Sequence, residues 1–248
     1  MTLEQFFKDN NKVALAFSGG VDSAYLLYAA KACGVQVRAY YVKTPFQPQF
    51  EWEDAQRLAR QLNADMTVLE MDILADSTVA ANPPDRCYFC KKRLFTAICE
   101  RARQDGFSLV IDGTNASDDA ADRPGMRALQ ELQVRSPLRE CGLTKAEIRA
   151  LSKQAGLFTH DKPAYACLAT RIPTGRAITE DLLAKTERSE VLLQSLGFTD
   201  FRVRLLGDSA KLQLRQEQLP LLLQQRERIL RELKKDYNEV LLDLEVRQ

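Results

Sequence analysis

Lys12-Val13-Ala14-Leu15-Ala16-Phe17-Ser18-Gly19-Gly20-Val21-Asp22-Ser23-Ala24 is the stretch that decides the fold. Its first six residues form a short apolar run, read as a buried strand. The Gly19-Gly20 pair makes a tight turn, and from Ala24 the apolar residues Leu26, Leu27, Ala30 and Cys33 recur at helical spacing until Gly34. A strand that runs through glycines into a helix makes an anion cradle. Glycine lets the backbone approach an anion closely, and the helix start presents unpaired N–H groups and the positive end of its dipole. Ser18 and Ser23 add hydroxyls, and Asp22 supplies a carboxylate of the kind Mg²⁺ takes alongside phosphate oxygens. No Lys-Ser/Thr follows the glycines and the GxGxxG spacing is missing, so this is neither a Walker A loop nor a dinucleotide fingerprint.

Working outward, the pattern predicts strands over 35–42, 66–71 and 109–112, with a short fifth over 133–135. Helices are predicted over 24–33, 50–62 and 94–103. Another follows Thr144, with Glu147 three residues on as a capping box, and Gly156 ends it. Strands alternating with helices imply a parallel sheet covered on both faces, with ligands beyond the carboxyl ends of its strands. Residues 157–178 read as a long polar linker holding Pro163, Pro173 and the only histidine, His160. After it come a helix over 180–196, strands over 201–206 and 210–214, a helix over 219–233 and a strand over 239–244. The expected layout is a nucleotide-binding domain over 1–160, an active-site linker over 161–178 and a small α+β domain over 179–248.

Lys+Arg of 35 against Asp+Glu of 34 leaves no basic excess, which argues against a nucleic-acid partner. No apolar run reaches membrane-spanning length and the acidic start is not a secretory signal, so a cytoplasmic enzyme with reduced cysteines is expected. Cys87 and Cys90 form a C-x-x-C pair, and Cys167 lies in the linker with Lys162, Arg171 and Arg176 close in sequence. Nearby cations favour a reactive thiolate. Cys33 and Cys99, on helical apolar faces, read as small buried hydrophobes, while Cys141 and His160 receive no role. Arg202 and Arg204 alternate on a predicted strand, which places both guanidiniums on one face.

The Ser-Gly-Gly-Val-Asp-Ser loop resembles the signature of the PP-loop ATP pyrophosphatases. That resemblance implies an adenine nucleotide α-hydrolase-like α/β fold that splits ATP between its α- and β-phosphates and adenylates an oxygen of the substrate. Ser18, Gly19, Gly20, Asp22 and Ser23 would bind ATP, with Asp22 on Mg²⁺. Asp112-Gly113-Thr114-Asn115 is similar to the group's second nucleotide-side element, which adds Gly113.

Three further segments resemble the LarE family: Arg86-Cys87-Tyr88-Phe89-Cys90-Lys91-Lys92, Arg123-Pro124-Gly125-Met126-Arg127-Ala128, and 162–173 around Cys167. Those sulfur transferases mature the nickel-pincer nucleotide cofactor of lactate racemase. The resemblance implies a pyridinium 3,5-dicarboxylate mononucleotide as substrate, carboxylate adenylation, and attack by Cys167, which is consumed as it gives up its sulfur. It also implies a phosphate-side role for Arg202 and Arg204, an acidic metal- or phosphate-handling position at Glu190, an added anion contact at Arg171, and a homo-oligomer. Alternatively, Cys87, Cys90 and Cys167 hold a [4Fe–4S] cluster whose open iron carries the sulfide, and this route ranks slightly ahead. The rivals are a tRNA thiolase, an amidating synthetase, and a non-catalytic ATP-binding module.

Overall fold

The computed structural model describes residues 1–118 and 124–245, so Arg123 of the fourth quoted segment lies outside the described residues. In chain order come α1 (Leu3–Asp9), β1 (Lys12–Ala16), α2 (Val21–Ala32), β2 (Gln36–Lys43), α3 (Gln49–Gln61) and β3 (Met66–Glu70). Next are α4 (Ser77–Ala80), α5 (Arg86–Gln104), β4 (Val110–Ile111), α6 (Pro124–Glu131), α7 (Pro137–Glu140) and α8 (Lys145–Gln154). The chain closes with α9 (Glu180–Ser195), β5 (Arg202–Leu206), β6 (Ser209–Gln213), α10 (Leu219–Leu233) and β7 (Val240–Leu242). Two compact units result. One comprises Met1–Ile73 and Asp85–Lys162, the other Leu74–Pro84 and Pro163–Gln248.

The first unit is built on a parallel sheet in the order β3-β2-β1-β4. Strand periodicity sends alternate residues to opposite faces. Val13, Leu15, Ala39, Tyr41 and Ile111 join one core with Phe6, Phe7, Leu26, Leu27, Leu58 and Ile148. Ala14, Tyr40, Val42 and Val110 join the other with Ile98, Ala102 and Phe107 of α5 and its C-terminal turn. With apolar residues buried on both faces, β1 and β2 lack the polar alternation of a half-solvated strand. The β1–α2 turn therefore sits at the carboxyl end of a central strand.

The expected fifth strand over 133–135 reduces to one parallel bridge between Ile111 and Arg135. The expected helix over 94–103 is the second half of α5, which starts at Arg86 and so carries Cys87 and Cys90 on its first turn. Thr144 and Glu147 form the anticipated capping box at the start of α8.

In the second unit, β5 and β6 are antiparallel and β7 adds parallel to β6, giving a mixed three-stranded sheet. Val203, Leu205, Ala210 and Leu212 are buried, as are Leu183 and Leu193 of α9 and Ile229 and Leu233 of α10. The sequence reading placed 74–84 with the nucleotide domain, but this segment is stitched to 172–178. Asn82, buried and left-handed at φ 56°, donates its side-chain amide to the carbonyls of Ile172, Pro173 and Arg176. Its own carbonyl accepts from the Gly175 amide, and the Ala80 carbonyl from that of Ile178. Among the described residues, no helix is long and apolar enough to cross a membrane.

Leu15 is fully buried at the centre of β1. Leu15→Ala is expected to destabilise the first unit by about 2–5 kcal/mol, measured as a shift of its urea midpoint at unchanged slope.

Candidate functional site

The 18–23 loop is held by its own hydroxyls. The Ser23 hydroxyl accepts from the Ser18 amide at 3.3 Å and lies 3.1 Å from the Ser18 hydroxyl, while the Gly20 amide donates to Ser18 Oγ at 3.3 Å. Gly19 adopts φ +72°, and a Cβ there would stand 3.0 Å from that of Ala55. α2 then begins at Gly20 with no side-chain cap, so its first-turn amides face outward for an anion. Gly113 closes the cradle from the loop after β4. A Cβ on it would come within 2.8 Å of the Ser23 amide nitrogen. These are the features a polyphosphate needs: close backbone, aligned amides and glycine where a side chain would intrude.

The loop after β4 is fixed by buried Asp112, which accepts from Thr114 Oγ1 at 2.5 Å and Ser136 Oγ at 2.6 Å. Asn115 donates its side-chain amide to Asp22 Oδ1 at 3.3 Å, and Lys145 places Nζ 2.5 Å from Asp22 Oδ2. The structure thus joins Asp22, Ser23, Gly113, Asn115 and Lys145. No local pattern could have shown Lys145, which lies 123 residues from its partner.

Cys87 and Cys90 lie three apart on the first turn of α5, hence on one face. Cys87 is exposed and Cys90 half-buried. Arg86, buried and stacked on Phe46, directs a guanidinium nitrogen to within 3.5 Å of Cys87 Sγ. Cys167 belongs to the other unit. Among the described residues, no group of three or more His, Cys, Asp or Glu stands in metal-holding geometry. Cys33, expected to be buried, is exposed because it caps α2 one position beyond the helix. Cys99 and Cys141 are half-buried against the two cores.

The segment over 157–178, read as a long polar linker, is a strap with two 3₁₀ turns, Phe158–Asp161 and Leu168–Arg171. Leu157, Leu168, Ala169, Arg171, Ile172 and Ile178 are buried. A strap without a sheet ladder must find other donors for its carbonyls, and long side chains provide them. Arg149 donates to the carbonyls of His160 and Lys162, at 2.6 and 2.7 Å. Around Cys167, Arg202 donates to the Ala164 carbonyl at 2.7 Å, Arg171 to that of Ala166 at 2.9 Å, and Arg204 to that of Thr170 at 2.6 Å. Arg202 donates as well to the Phe201 carbonyl at 2.6 Å, and Arg204 to Gln213 Oε1 at 2.5 Å.

Glu190 and Arg171 are paired with each other. Arg171 is 1% exposed and its guanidinium meets Glu190 side-on, with Nε to Oε1 at 2.7 Å and a terminal nitrogen to Oε2 at 3.0 Å. Oε1 also accepts from the Val203 amide at 3.0 Å, and Oε2 from the Tyr165 hydroxyl. Burial and the adjacent Glu190 charge push the Tyr165 phenol well up, so it stays a donor. Four of Arg171's five N–H groups go to Glu190, the Ala166 carbonyl and Thr170 Oγ1. The pair is therefore a clamp that ties α9 and β5 to the turn following Cys167. Cys167 caps that turn, and its carbonyl accepts from the Thr170 amide at 3.0 Å and hydroxyl at 2.8 Å.

Residues 12–83 match the family model described as queuosine biosynthesis protein QueC. The chain is 37% identical over 88% of its length to an uncharacterized protein of Synechocystis, covering 81% of that protein. It is 34% identical over 86% of its length to the pyridinium-3,5-bisthiocarboxylic acid mononucleotide synthase of Lactiplantibacillus plantarum, covering 78% of that enzyme. It is also 29% identical over 98% of its length to an uncharacterized protein of Methanocaldococcus jannaschii, covering 93% of it.

Arg171→Met leaves the Glu190 carboxylate buried without its cation, at a cost of about 3–5 kcal/mol. The double variant Arg171→Met/Glu190→Leu should recover part of that loss. Urea unfolding of the two single variants and the double one measures the coupling.

Proposed function

Because the chain belongs to the LarE family of PP-loop ATP pyrophosphatases, we propose that it replaces carboxylate oxygen by sulfur on a pyridinium-3,5-dicarboxylate mononucleotide. The observation that carries this reading is Cys167, held at the head of a clamped turn in a chain that also carries the SGGVDS cradle.

The first half of the chemistry is activation. The 18–23 loop and the α2 amides bind the pyrophosphate end of ATP, Asp22 would hold its magnesium, and Gly113 leaves room for the second loop beside the nucleotide. Fixed dipoles aimed at the departing pyrophosphate need no reorganisation as its charge develops. A substrate carboxylate oxygen attacks the α-phosphorus, the bond to the β-phosphate oxygen breaks, and pyrophosphate leaves with the electron pair. The acyl adenylate that remains has AMP as its leaving group.

The second half needs a sulfur nucleophile, and Cys167 is that group or one of its holders. In the direct route its thiolate displaces AMP to form a thioester. Loss of the Cys167 Cα proton and cleavage of the Cβ–S bond then release the thiocarboxylate and leave dehydroalanine. In the alternative route Cys87, Cys90 and Cys167 would hold an iron–sulfur cluster, which would supply the sulfide and spare the cysteine. The C-x-x-C pair on one helix face, with Cys87 exposed, supports the cluster route. Arg202 and Arg204 hold the strap and present positive charge toward the substrate phosphate.

Cys167→Ser is expected to release pyrophosphate with the dicarboxylate nucleotide yet make no thiocarboxylate, whereas Asp22→Ala releases no pyrophosphate. Coupled pyrophosphate detection and mass analysis of the nucleotide read both. Sulfurated product from Cys167→Ser would refute the assignment of this residue. Iron and labile sulfide retained after anaerobic purification, and lost in Cys87→Ala, favour the cluster. An iron-free protein that loses one sulfur per turnover establishes the direct route.

A further inference from the structure

Asp22 is the only carboxylate in the 18–23 loop, and both of its oxygens are engaged. Oδ1 accepts from Asn115 Nδ2 at 3.3 Å, and Oδ2 from Lys145 Nζ at 2.5 Å. The backbones that carry these partners are fixed separately. The Asn115 side-chain oxygen accepts from the Ser117 amide at 2.8 Å, and Ser117 Oγ in turn accepts from the Lys145 amide at 3.0 Å. The capping box of Thr144 and Glu147 sets the start of α8, where Lys145 is the first residue. The Lys145 side chain differs from its backbone. It is a flexible four-carbon stem, 33% exposed, that ends on a carboxylate 21% exposed.

Mg²⁺ arriving at a carboxylate bridged to an ammonium sets two cations a few ångströms apart, and their repulsion favours departure of the ammonium. Magnesium demands near-octahedral oxygen ligands, and a lysine ammonium binds phosphate readily as a compact point charge. We propose that Lys145 is the place-holding cation of the nucleotide site. It neutralises Asp22 while the site waits, and it transfers to the β- and γ-phosphate oxygens when Mg·ATP brings a metal to Asp22. Asn115 keeps its bond to Oδ1 and holds the carboxylate plane through the exchange. Lys145 is thus a positioning residue that couples the magnesium to the polyphosphate, and this role rests on reading the loop as an ATP site.

The test is calorimetric titration of the intact protein with Mg²⁺ and α,β-methylene-ATP, and separately with AMP, which lacks the β- and γ-phosphates. Lys145→Met is expected to weaken the ATP analogue by about tenfold or more and AMP by less than about twofold. Lys145→Arg, which keeps the charge, should recover most of the difference. The thermal midpoint of the nucleotide-free Lys145→Met protein should stay close to that of the wild type. Unchanged binding of the analogue by Lys145→Met overturns the proposal. Equal weakening of analogue and AMP, or a large fall in the thermal midpoint, also overturns it by making Lys145 a structural brace. If the wild-type chain itself binds neither ligand, the reading of the loop fails first. If the wild type binds and Lys145→Met matches it, only the role of Lys145 falls.

Discussion

The carboxylate of Glu190 joins four parts of the second unit at one point. It accepts from the Arg171 guanidinium, the Tyr165 hydroxyl and the Val203 amide, and it is carried by α9. Two charges taken this far out of water cost several kcal/mol each, which their mutual attraction offsets only with good geometry and filled hydrogen bonds. Here the side-on fork and the two added donors meet both conditions. In return, the Cys167 turn has one place relative to β5. Hydrophobic packing alone would not specify this, since a strap of alanines, threonines and prolines has few large side chains to interlock.

The backbone around Cys167 lies outside any sheet or long helix. The chain around Cys167 therefore gives up ladder hydrogen bonds, and guanidiniums of Arg171, Arg202 and Arg204 replace them at the carbonyls of Ala166, Ala164 and Thr170. Arginine suits this task because its planar fork reaches several acceptors and keeps its charge. The same side chains concentrate positive charge around a segment whose proposed substrate carries a phosphate and two carboxylates. Order and electrostatics come from one set of residues. At the nucleotide cradle the solution is the opposite one: side chains are removed at Gly19 and Gly113, and backbone amides form the binding surface.

How much of this was legible depended on whether the signal was local. The β1–turn–α2 unit could be read because an apolar run, a glycine pair and a helical period follow one another within about two dozen residues. The capping box at Thr144 and Glu147 was equally local. The start of α5 was missed because Cys, Tyr and Phe are indifferent helix formers, and the strong period begins only at Leu94. The strap could be read only as a long polar linker, since the donors to its carbonyls come from side chains far along the chain. The pairing of Glu190 with Arg171 could not be read for the same reason: sequence displays a charge but not its partner. Lys145 could not be found from pattern at all, because only the folded sheet brings α8 to Asp22.

Mass analysis of the nucleotide after a single turnover probes the central claim most directly. Wild-type protein, Mg·ATP and pyridinium-3,5-dicarboxylate mononucleotide are mixed anaerobically, and the products are resolved with pyrophosphate and AMP quantified in the same sample. Replacement of a carboxylate oxygen by sulfur, matched by equal pyrophosphate and AMP, is the predicted result. Pyrophosphate and AMP formed with the nucleotide unchanged, or no pyrophosphate at all, would contradict it.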